Sequence, residues 1–363
     1  MWSQNVPSES SISNPYGVVS NEVVRQAVSI LRDGGLVALP TETVYGLGAR
    51  ADRPEAVRRI FAAKGRPADH PLIAHIAGLD AAVELGMEIG PRYRGLLEAF
   101  WPGPLTVVVP RPNSVVAEAT GGLASVALRA PQHPLTERIL ASIALPIVAP
   151  SANRFGRVSP TTAAHVAESL GDAVDLIVDG GSCRIGVEST IIDIRTDTPV
   201  LLRPGGLSLG DIESVVGPVA RPPTPTVAVP GTLAAHYAPN KPLVLMAARG
   251  ARNVVAGAPA DEASTELKNL VGSTQTVGLI GLVSDISAHV DRCQVPEGVT
   301  VLAMFDSPEA MGAGLYQALR DADHADIDVV VAWLTGHDGI GAAIDDRLRR
   351  ASVGSPPLVP HTL

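Results

Sequence analysis

The chain has 363 residues, of which 46% are apolar, and a formal net charge of −9 at pH 7. Because a domain commonly holds ~150 residues, the length predicts two domains. The acidic balance argues against stable nucleic-acid binding, and no apolar run approaches the ~18–20 residues that span a membrane. The polar N-terminus lacks the pattern of a signal peptide, which predicts a cytoplasmic protein.

The first half of the chain alternates between helix and strand patterns. Apolar residues at helical spacing predict a helix in "SNEVVRQAVSILRDGG", "LVALP" predicts a buried strand, and "RPEAVRRIFAA" predicts a second helix. Further short apolar runs predict strands at "PLIAHI", "LTVVVP", "SVALRAP", "LPIVAPS", "LIVDGG", "TIIDI" and "PVLLRPG". Near-continuous apolar strands are typical of sheets that helices cover, so an α/β fold is predicted.

Prolines interrupt this alternation, with seven of them between residues 216 and 242. Such a segment is extended and fairly stiff, so we expect 216–241 to be a linker between domains at 1–215 and 242–363. After it, strands are predicted at "PLVLMA", "TVGLIGLV", "VTVLAM" and "DIDVVVAWL", and helices at "DEASTELKNLV", "PEAMGAGLYQALRDA" and "GAAIDDRLRRA". This second alternation predicts a smaller, Rossmann-like α/β domain.

The stretch "KGRPADHPLIAH" carries the only lysine before residue 241. If residues 64–66 are extended, Lys64 and Arg66 point to the same face, and two such cations suit a polyanion such as a triphosphate. The alternative is a solvated helix end, where lysine and arginine complement the helix dipole.

The stretch "APSANRFGRVSPTT" offers a second group of polar side chains. Ser151 and Asn153 leave a predicted strand on one face, and Ser159 precedes a proline as an N-cap residue would. A helix N-terminus also binds phosphate, so capping and ligand binding remain compatible interpretations of Ser159.

Polar residues also stand at the ends of several predicted strands. Ser125 and Arg129 flank one strand, Ser189 precedes another, and Arg203 ends a third. One such arginine usually forms a surface ion pair, but the three arginines Arg66, Arg129 and Arg203 together favour a basic cavity. No P-loop, zinc-protease helix or nucleophile elbow occurs, and no spacing of histidines and cysteines predicts a metal site.

Taken in order, these pieces resemble the threonylcarbamoyl-AMP synthases, in the two-domain form of the YrdC-like family. The matching pieces are "LPTETVYGLG", "KGRP" with "HPLIAH", "FWPGPLTVVV", "VALRAP", "APSAN" with "GRVSPT", "GVESTIID", "LLRPGG", "PGTLAAHYAP" and "GIGAAIDDRLRRAS". The resemblance implies a YrdC-like twisted mixed sheet with helices around a concave cavity, followed by the smaller Rossmann-like domain.

The resemblance also implies an enzyme that joins L-threonine, bicarbonate or CO2, and ATP, with magnesium, and that releases pyrophosphate. Its product would supply a downstream tRNA threonylcarbamoyl-transferase complex. Lys64 and Arg66 would be catalytic through the phosphates. Carried over by position, the threonine ligands are Thr41, His75, Arg129, Ala149 and Ser189, and the ATP ligands are Arg66, His70, Ser125, Ser151, Asn153, Ser159, Arg203 and, in a linker that acts as a lid, Tyr237.

Two other functions are compatible with the same fold. One is an RNA-binding or ribosome-associated protein, against which the net charge of −9 argues. The other is a carbamoyl-transfer component of a maturation protein, but such proteins carry additional zinc-finger-like cysteines, and this chain has only two cysteines in all.

Overall fold

The structure is a computed structural model that describes residues 21–87, 89–222, 227–233, 235–246, 276–287 and 298–353. The helix predicted in "DEASTELKNLV" lies outside the described residues, as do the two termini. No helix in the described ranges is both long and apolar enough to cross a membrane.

The first part of the chain forms one mixed sheet of nine strands, in the order β7-β1-β2-β6-β3-β5-β4-β8-β9. Three neighbouring pairs are parallel, β1 with β7, β3 with β5 and β4 with β8, and the others are antiparallel. The strands are β1 (Val37–Leu39), β2 (Gly46–Arg50), β3 (Ile73–His75), β4 (Leu105–Pro110), β5 (Ser125–Arg129), β6 (Ile147–Val148), β7 (Leu176–Ile177), β8 (Thr190–Asp193) and β9 (Val200–Arg203).

Seven helices accompany this sheet in the described part of the chain. They are α1 (Asn21–Arg32), α2 (Pro54–Lys64), α3 (Leu79–Glu84), α4 (Pro91–Phe100), α5 (Pro134–Ile143), α6 (Ala163–Leu170) and α7 (Leu209–Val216). The start of α2 has a proline at its first position, where the missing N–H is not needed, and Gly65 ends it with a left-handed φ of 63°.

Strand β2 is the strand that the sequence pattern misses. Its "GLGAR" has glycines where a strand prediction expects β-branched residues. The structure supplies the reason at Gly48, where a Cβ atom would lie 3.0 Å from Leu39 and 3.1 Å from Ile147. Side chains of the neighbouring strands fill this space, so the strand is selected by packing rather than by local preference.

The second part of the chain forms a parallel sheet of four strands, in the order β10-β13-β11-β12. Its strands are β10 (Leu243–Met246), β11 (Val277–Leu282), β12 (Val299–Phe305) and β13 (Val329–Trp333), and its helices are α8 (Val283–Ile286), α9 (Pro308–His324) and α10 (Ile340–Val353). An all-parallel sheet with helices agrees with the Rossmann-like α/β fold predicted for this half.

A hydrophobic cluster joins the two halves. It contains buried residues of α9, α10 and the second sheet together with Val158 and Val187 of the first part and Tyr237 of the linker. Burial of apolar surface across this boundary stabilises the contact between the halves. The linker therefore packs between the two sheets rather than hanging free as a tether.

Candidate active site

A cavity of about 50 Å³ lies where the first sheet meets the linker. Nine of the residues predicted for the site line it: Thr41, Arg66, His75, Arg129, Ala149, Ser151, Ser189, Arg203 and Tyr237. The structure thus brings together most of the threonine and ATP ligands that the motifs indicate, from positions that are far apart in sequence.

One wall, which we call the sheet side, consists of Thr41, His75, Arg129 and Ala149. His75 and Arg129 are the last residues of β3 and β5 and lie opposite each other in the parallel ladder. Nη2 of Arg129 lies 2.8 Å from Oε1 of the fully buried Glu42, and its Nε donates to the carbonyl oxygen of Gly103. Contacts inside the first domain therefore hold this guanidinium.

Thr41 closes a tight turn on the sheet side. Its hydroxyl donates to the carbonyl oxygen of Val44 at 2.6 Å and accepts the backbone N–H of Thr43 at 3.1 Å. Such a hydroxyl turn fixes the loop that follows β1. The side chain therefore has a rigid position at the cavity wall.

His75 is buried and neutral. Burial, followed by the positive charge of Arg129, lowers its pKa from 6.5 to about 3. Its Nδ1 lies 3.3 Å from the carbonyl oxygen of Ile73. Contacts with the backbone of Ile73 and Ile147 oppose the lowering of the pKa but do not outweigh burial.

The opposite wall, which we call the linker side, consists of Glu188, Arg203, Gly231, His236 and Tyr237. Arg203, the last residue of β9, donates from Nε and Nη2 to the carbonyl oxygen of Ser189. Its Nη1 donates to the carbonyl oxygen of Pro230, at 2.8 Å. The guanidinium thus ties the linker to the first sheet.

The linker approaches Arg203 closely because residue 231 is glycine. With a φ of 77°, a Cβ atom here would lie 2.3 Å from Oη of Tyr237 and 2.9 Å from Nη1 of Arg203. A side chain at this position would force Tyr237 or Arg203 to shift. Tyr237 itself has a left-handed φ of 64°, a conformation that costs a non-glycine residue roughly 1–3 kcal/mol and needs surrounding contacts to hold it.

Arg66 lies at the junction of this cavity with a second one of about 100 Å³, which His70 and Leu233 also line. Its Nη2 donates to the carbonyl oxygen of Pro71, while its buried Nε has no hydrogen-bond partner among the described residues. Burial lowers the pKa of Arg66 to about 10. A buried guanidinium with an unused donor is suited to an anion.

Lys64 is not where either sequence interpretation places it. It ends α2 and so is not extended, yet only 3% of it is exposed, so it is not a solvated helix end. Its Nζ donates 2.5 Å hydrogen bonds to the carbonyl oxygens of Ser151 and Asn153. Burial lowers its pKa well below the usual value. Lys64 holds the loop that carries Ser151 and does not line the cavity.

Ser159 and Asn153 also differ from expectation. The helix after Ser159 begins at Ala163 with Thr162 as its N-cap, so the predicted cap is wrong. The hydroxyl of Ser159 instead donates to Oε1 of Glu188 at 2.7 Å. The amide of Asn153 donates to two carbonyl oxygens of its own loop. Both residues support the cavity wall from behind.

Ser125 lies at the far end of β5 from Arg129. Alternation along the strand puts the two side chains on one face of the sheet, with Ala127 between them. Ala127 packs in a cluster with Val229 of the linker. The linker therefore runs over the face that would connect Ser125 to the cavity, and Ser125 is not among the lining residues.

Several residues of the site escape sequence reasoning. Glu42 and Glu188 are buried acids that contact the arginines and hydroxyls described above, and His236 lines both cavities. The second domain contributes Arg347 and Tyr316, which contact Glu188. A signal was present for the acids, since both stand inside quoted motifs, "PTETVYG" and "GVESTI", beside predicted ligands.

Comparison with known proteins identifies the family. The family model described as "Telomere recombination" (Sua5_yciO_yrdC) matches residues 29–205, and the one described as "Threonylcarbamoyl-AMP synthase, C-terminal domain" matches residues 207–353. The chain is 41% identical over 336 residues to the threonylcarbamoyl-AMP synthase of Pyrococcus abyssi, which covers 91% of this chain and 94% of that one. The chain belongs to the threonylcarbamoyl-AMP synthase family.

Two further relatives show the range of this family. The threonylcarbamoyl-AMP synthase of Bacillus subtilis is 38% identical over 361 residues and covers 97% of both chains. The threonylcarbamoyl-AMP synthase of Nitrosococcus oceani is 34% identical over 173 residues, which are 48% of this chain but 94% of that one. The same name is therefore given to shorter proteins, which have no counterpart of about half of this chain.

The comparison of structures confirms the expected fold of a two-domain threonylcarbamoyl-AMP synthase. The crystal structure of P. abyssi Sua5 complexed with L-threonine matches with a TM-score of 0.79, over 91% of this chain and 94% of that one. The resemblance noted in the motifs and the YrdC-like α/β architecture with its second domain are therefore both confirmed.

Proposed function

We propose that this chain synthesises L-threonylcarbamoyl-AMP from L-threonine, bicarbonate or CO2, and ATP. The amine of threonine and CO2 form a carbamate, with loss of a proton. A carbamate oxygen then attacks the α-phosphorus of ATP, and the bond to the pyrophosphate oxygen breaks. The adenylate would supply a downstream complex that transfers the threonylcarbamoyl group to adenosine in tRNA, which implies a cytoplasmic site of action.

The observation that carries this proposal is the convergence of Arg66, Arg129 and Arg203 on one buried cavity. Three guanidinium groups can pair with the carboxylate of threonine and with the phosphates of ATP. The carbamate is itself the nucleophile, so positioning and charge stabilisation can supply the catalysis.

The sheet side is the proposed threonine site. Arg129 would bind the carboxylate, because Glu42 and Gly103 already fix the plane of its guanidinium. Thr41 and the neutral His75 would contact the hydroxyl and the amine. The backbone of Ala149 and the side chain of Ser189 would complete the pocket.

The linker side and Arg66 are the proposed nucleotide site. Arg66 and Arg203 would neutralise the phosphates, with Ser151, His70 and Tyr237 around the nucleotide. Ser125, Asn153 and Ser159 would join only after rearrangement of the linker or loops. For Lys64 we propose support of the Ser151 loop as its role in this structure.

Magnesium would enter as part of the MgATP substrate. Among the described residues, no group of three or more histidines, cysteines and carboxylates is placed to hold a metal ion. The carboxylate of Glu188 is occupied by Ser159, Tyr316 and Arg347. Magnesium is commonly held by substrate phosphates and water, which needs no protein cage.

The linker would act as a lid. Pockets for drug-sized ligands commonly measure ~300–1,000 Å³, whereas this cavity measures about 50 Å³ with the linker in place. ATP therefore cannot enter until Gly231, His236 and Tyr237 withdraw. Closure over the bound substrates would exclude water from the carbamate and the mixed anhydride.

The direct test measures pyrophosphate release and adenylate formation by the full-length protein, with threonine and bicarbonate omitted in turn. We expect both products to require all three substrates, and mass spectrometry to show the threonylcarbamoyl adduct of AMP. Equal pyrophosphate release without threonine would indicate a simple ATP pyrophosphohydrolase and would overturn the proposal.

A further inference from the structure

A cavity of about 260 Å³, larger than the catalytic one, is lined by residues of α6 and α9, which we call the α6–α9 cavity. It shares no lining residue with the catalytic cavity. Three arginines and two carboxylates are among its lining residues, so the wall carries one surplus positive charge when its histidine is neutral. The partners of these charged groups show which of them are open to a ligand.

Both carboxylates of the α6–α9 cavity already have partners. Glu168 lies 3.1 Å from Nη1 of Arg320 and 3.2 Å from Nε2 of His324. Asp323 accepts hydrogen bonds from the backbone N–H of Asn240 at 2.6 Å and from its side-chain amide at 3.0 Å. Neither acid is therefore paired with the remaining two arginines of the cavity.

Those two arginines, Arg154 and Arg157, carry the open charges of the cavity. Both are exposed, and neither guanidinium forms a hydrogen bond, an ion pair or a ring contact within the described part of the chain. A guanidinium has five N–H donors and stays charged at every ordinary pH. Two of them in one cavity are therefore suited to an oxyanion with several acceptor oxygens.

A tight turn fixes the backbone of both arginines. The N–H of Arg157 donates to the carbonyl oxygen of Arg154 at 3.2 Å, and Gly156 supplies the positive φ of 80° that a type II turn needs at its third position. The N–H of Phe155, inside the turn, donates to the carbonyl oxygen of Lys64 at 2.8 Å. Because this backbone is already ordered, binding of an anion does not have to order it.

The size and the lining of the cavity indicate which oxyanion it can hold. Pockets for drug-sized ligands commonly measure ~300–1,000 Å³, so about 260 Å³ suits a small ion rather than a whole nucleotide. No phenylalanine, tyrosine or tryptophan is among the described residues that line it, so it offers no such ring on which a base could stack. The net charge of −9 also disfavours a polynucleotide. A diphosphate is compact and has enough oxygens for two guanidinium groups.

We propose that the α6–α9 cavity is a second oxyanion site, which binds pyrophosphate through Arg154 and Arg157 and is separate from the catalytic cavity. Arg320 adds positive charge to its wall, while Nη1 and Nη2 of that residue donate to Glu168 and to the carbonyl oxygen of Val158. The site goes beyond the proposed function, because its occupancy is measured without turnover. Pyrophosphate is also the leaving group of the proposed reaction, so the protein would bind its own product here.

The test counts the labelled pyrophosphate bound to each chain by equilibrium dialysis of the full-length protein, without ATP or threonine. We expect the double variant Arg154→Gln, Arg157→Gln to bind one pyrophosphate fewer than the wild type, with the affinity of the lost site about 100-fold weaker or less measurable still. The control is Arg25→Gln, Arg221→Gln, which removes the same charge from two exposed positions outside the cavity and should bind as the wild type does. Exposed substitutions of this kind should leave folding intact.

The outcomes separate this inference from the proposed function. A wild type that binds no pyrophosphate, or a double variant that binds as much of it and as tightly as the wild type, overturns the inference alone. Displacement of the label by a short RNA at a lower concentration than unlabelled pyrophosphate requires also overturns it, because the phosphates would then come from a polynucleotide. A wild type that forms no adenylate, but loses one bound pyrophosphate with the two arginines, contradicts only the proposed function.

Discussion

On the sheet side of the cavity, Arg129 is held by Glu42 and Gly103 of its own domain, whereas on the linker side Arg203 is bonded to Pro230 of the linker. Glu188 on that side is held by the second domain as well. If the linker opens as proposed, the sheet side would keep its geometry and the linker side would lose part of it. We infer that threonine meets a preformed pocket and that the nucleotide site is completed by closure.

Substrate selection gives the largest expected effect and tests the rigidity of the sheet side. We expect valine to react with a kcat/KM lower than that of threonine by ~10⁴ or more, because loss of the hydroxyl removes a hydrogen bond to a buried polar group of the sheet side, such as His75. Serine lacks only a methyl group and should lose ~10- to 200-fold. The measurement is adenylate formation with each amino acid, and comparable rates for valine and threonine would show that the wall adapts.

Removing Tyr237 tests how firmly the linker side is packed. The ring is 1% exposed and contacts Tyr316 and Arg347, so Tyr237→Ala should lower the free energy of unfolding by about 3 kcal/mol. It should also lower the yield of adenylate for each ATP consumed, because an open cavity admits water. Tyr237→Phe keeps the ring and is the control. Urea denaturation that does not separate Tyr237→Ala from wild type would mean that the linker is only a tether.

Removing Arg129 tests whether the two sides are independent. A charge-assisted bidentate pair in a buried site is worth about 2–4 kcal/mol, so Arg129→Ala should weaken L-threonine roughly 30- to 1,000-fold. Arg129→Ala should have only a small effect on ATP affinity. The control is Arg111→Ala, outside the cavity, which should change neither the affinity for threonine nor that for ATP. Calorimetry with each substrate decides this, and a larger loss for ATP than for threonine would reverse the assignment of the two sides.

A smaller effect is the dependence of stability on pH, since each side of the cavity carries one buried neutral histidine. Burial lowers the pKa of both His75 and His236 from 6.5 to about 3. As the pH falls from about 6.5 towards 3, the unfolded chain takes up a proton at each site that the folded chain excludes. The free energy of unfolding should therefore fall with decreasing pH, by up to about 1.4 kcal/mol per pH unit for each histidine.

Replacing His236 by asparagine should remove one such contribution from the slope between pH 6 and pH 4. Denaturation curves at several pH values measure this slope, and His337→Asn, an exposed site, is the control. An unchanged slope in His236→Asn would mean that this side of the cavity admits water and protons in the folded state, unlike the sheet side.

The sequence predicts the two sides of the cavity unequally. Arg129 and Arg203 are found at strand ends as expected, because short apolar strands with polar ends are local patterns. The extended backbone predicted at Lys64 is wrong, because α2 runs to Lys64 and Gly65 ends it with a left-handed φ. Burial of the Lys64 side chain depends on packing, which the local sequence does not show. Arg347 stands inside the matched piece "GIGAAIDDRLRRAS", but no local pattern connects it with the cavity, because its contact with Glu188 arises only when α10 docks against the first domain.

The closed cavity has a consequence for how fast ATP can bind. If the linker opens to admit the nucleotide and closes again over it, the contacts that favour the closed form are present both before and after binding. Each ~1.4 kcal/mol by which they favour the closed form lowers the fraction of open molecules, and with it the rate of ATP entry, tenfold. The contacts of Tyr237 would then limit how fast the nucleotide enters and leaves, even where they touch no nucleotide.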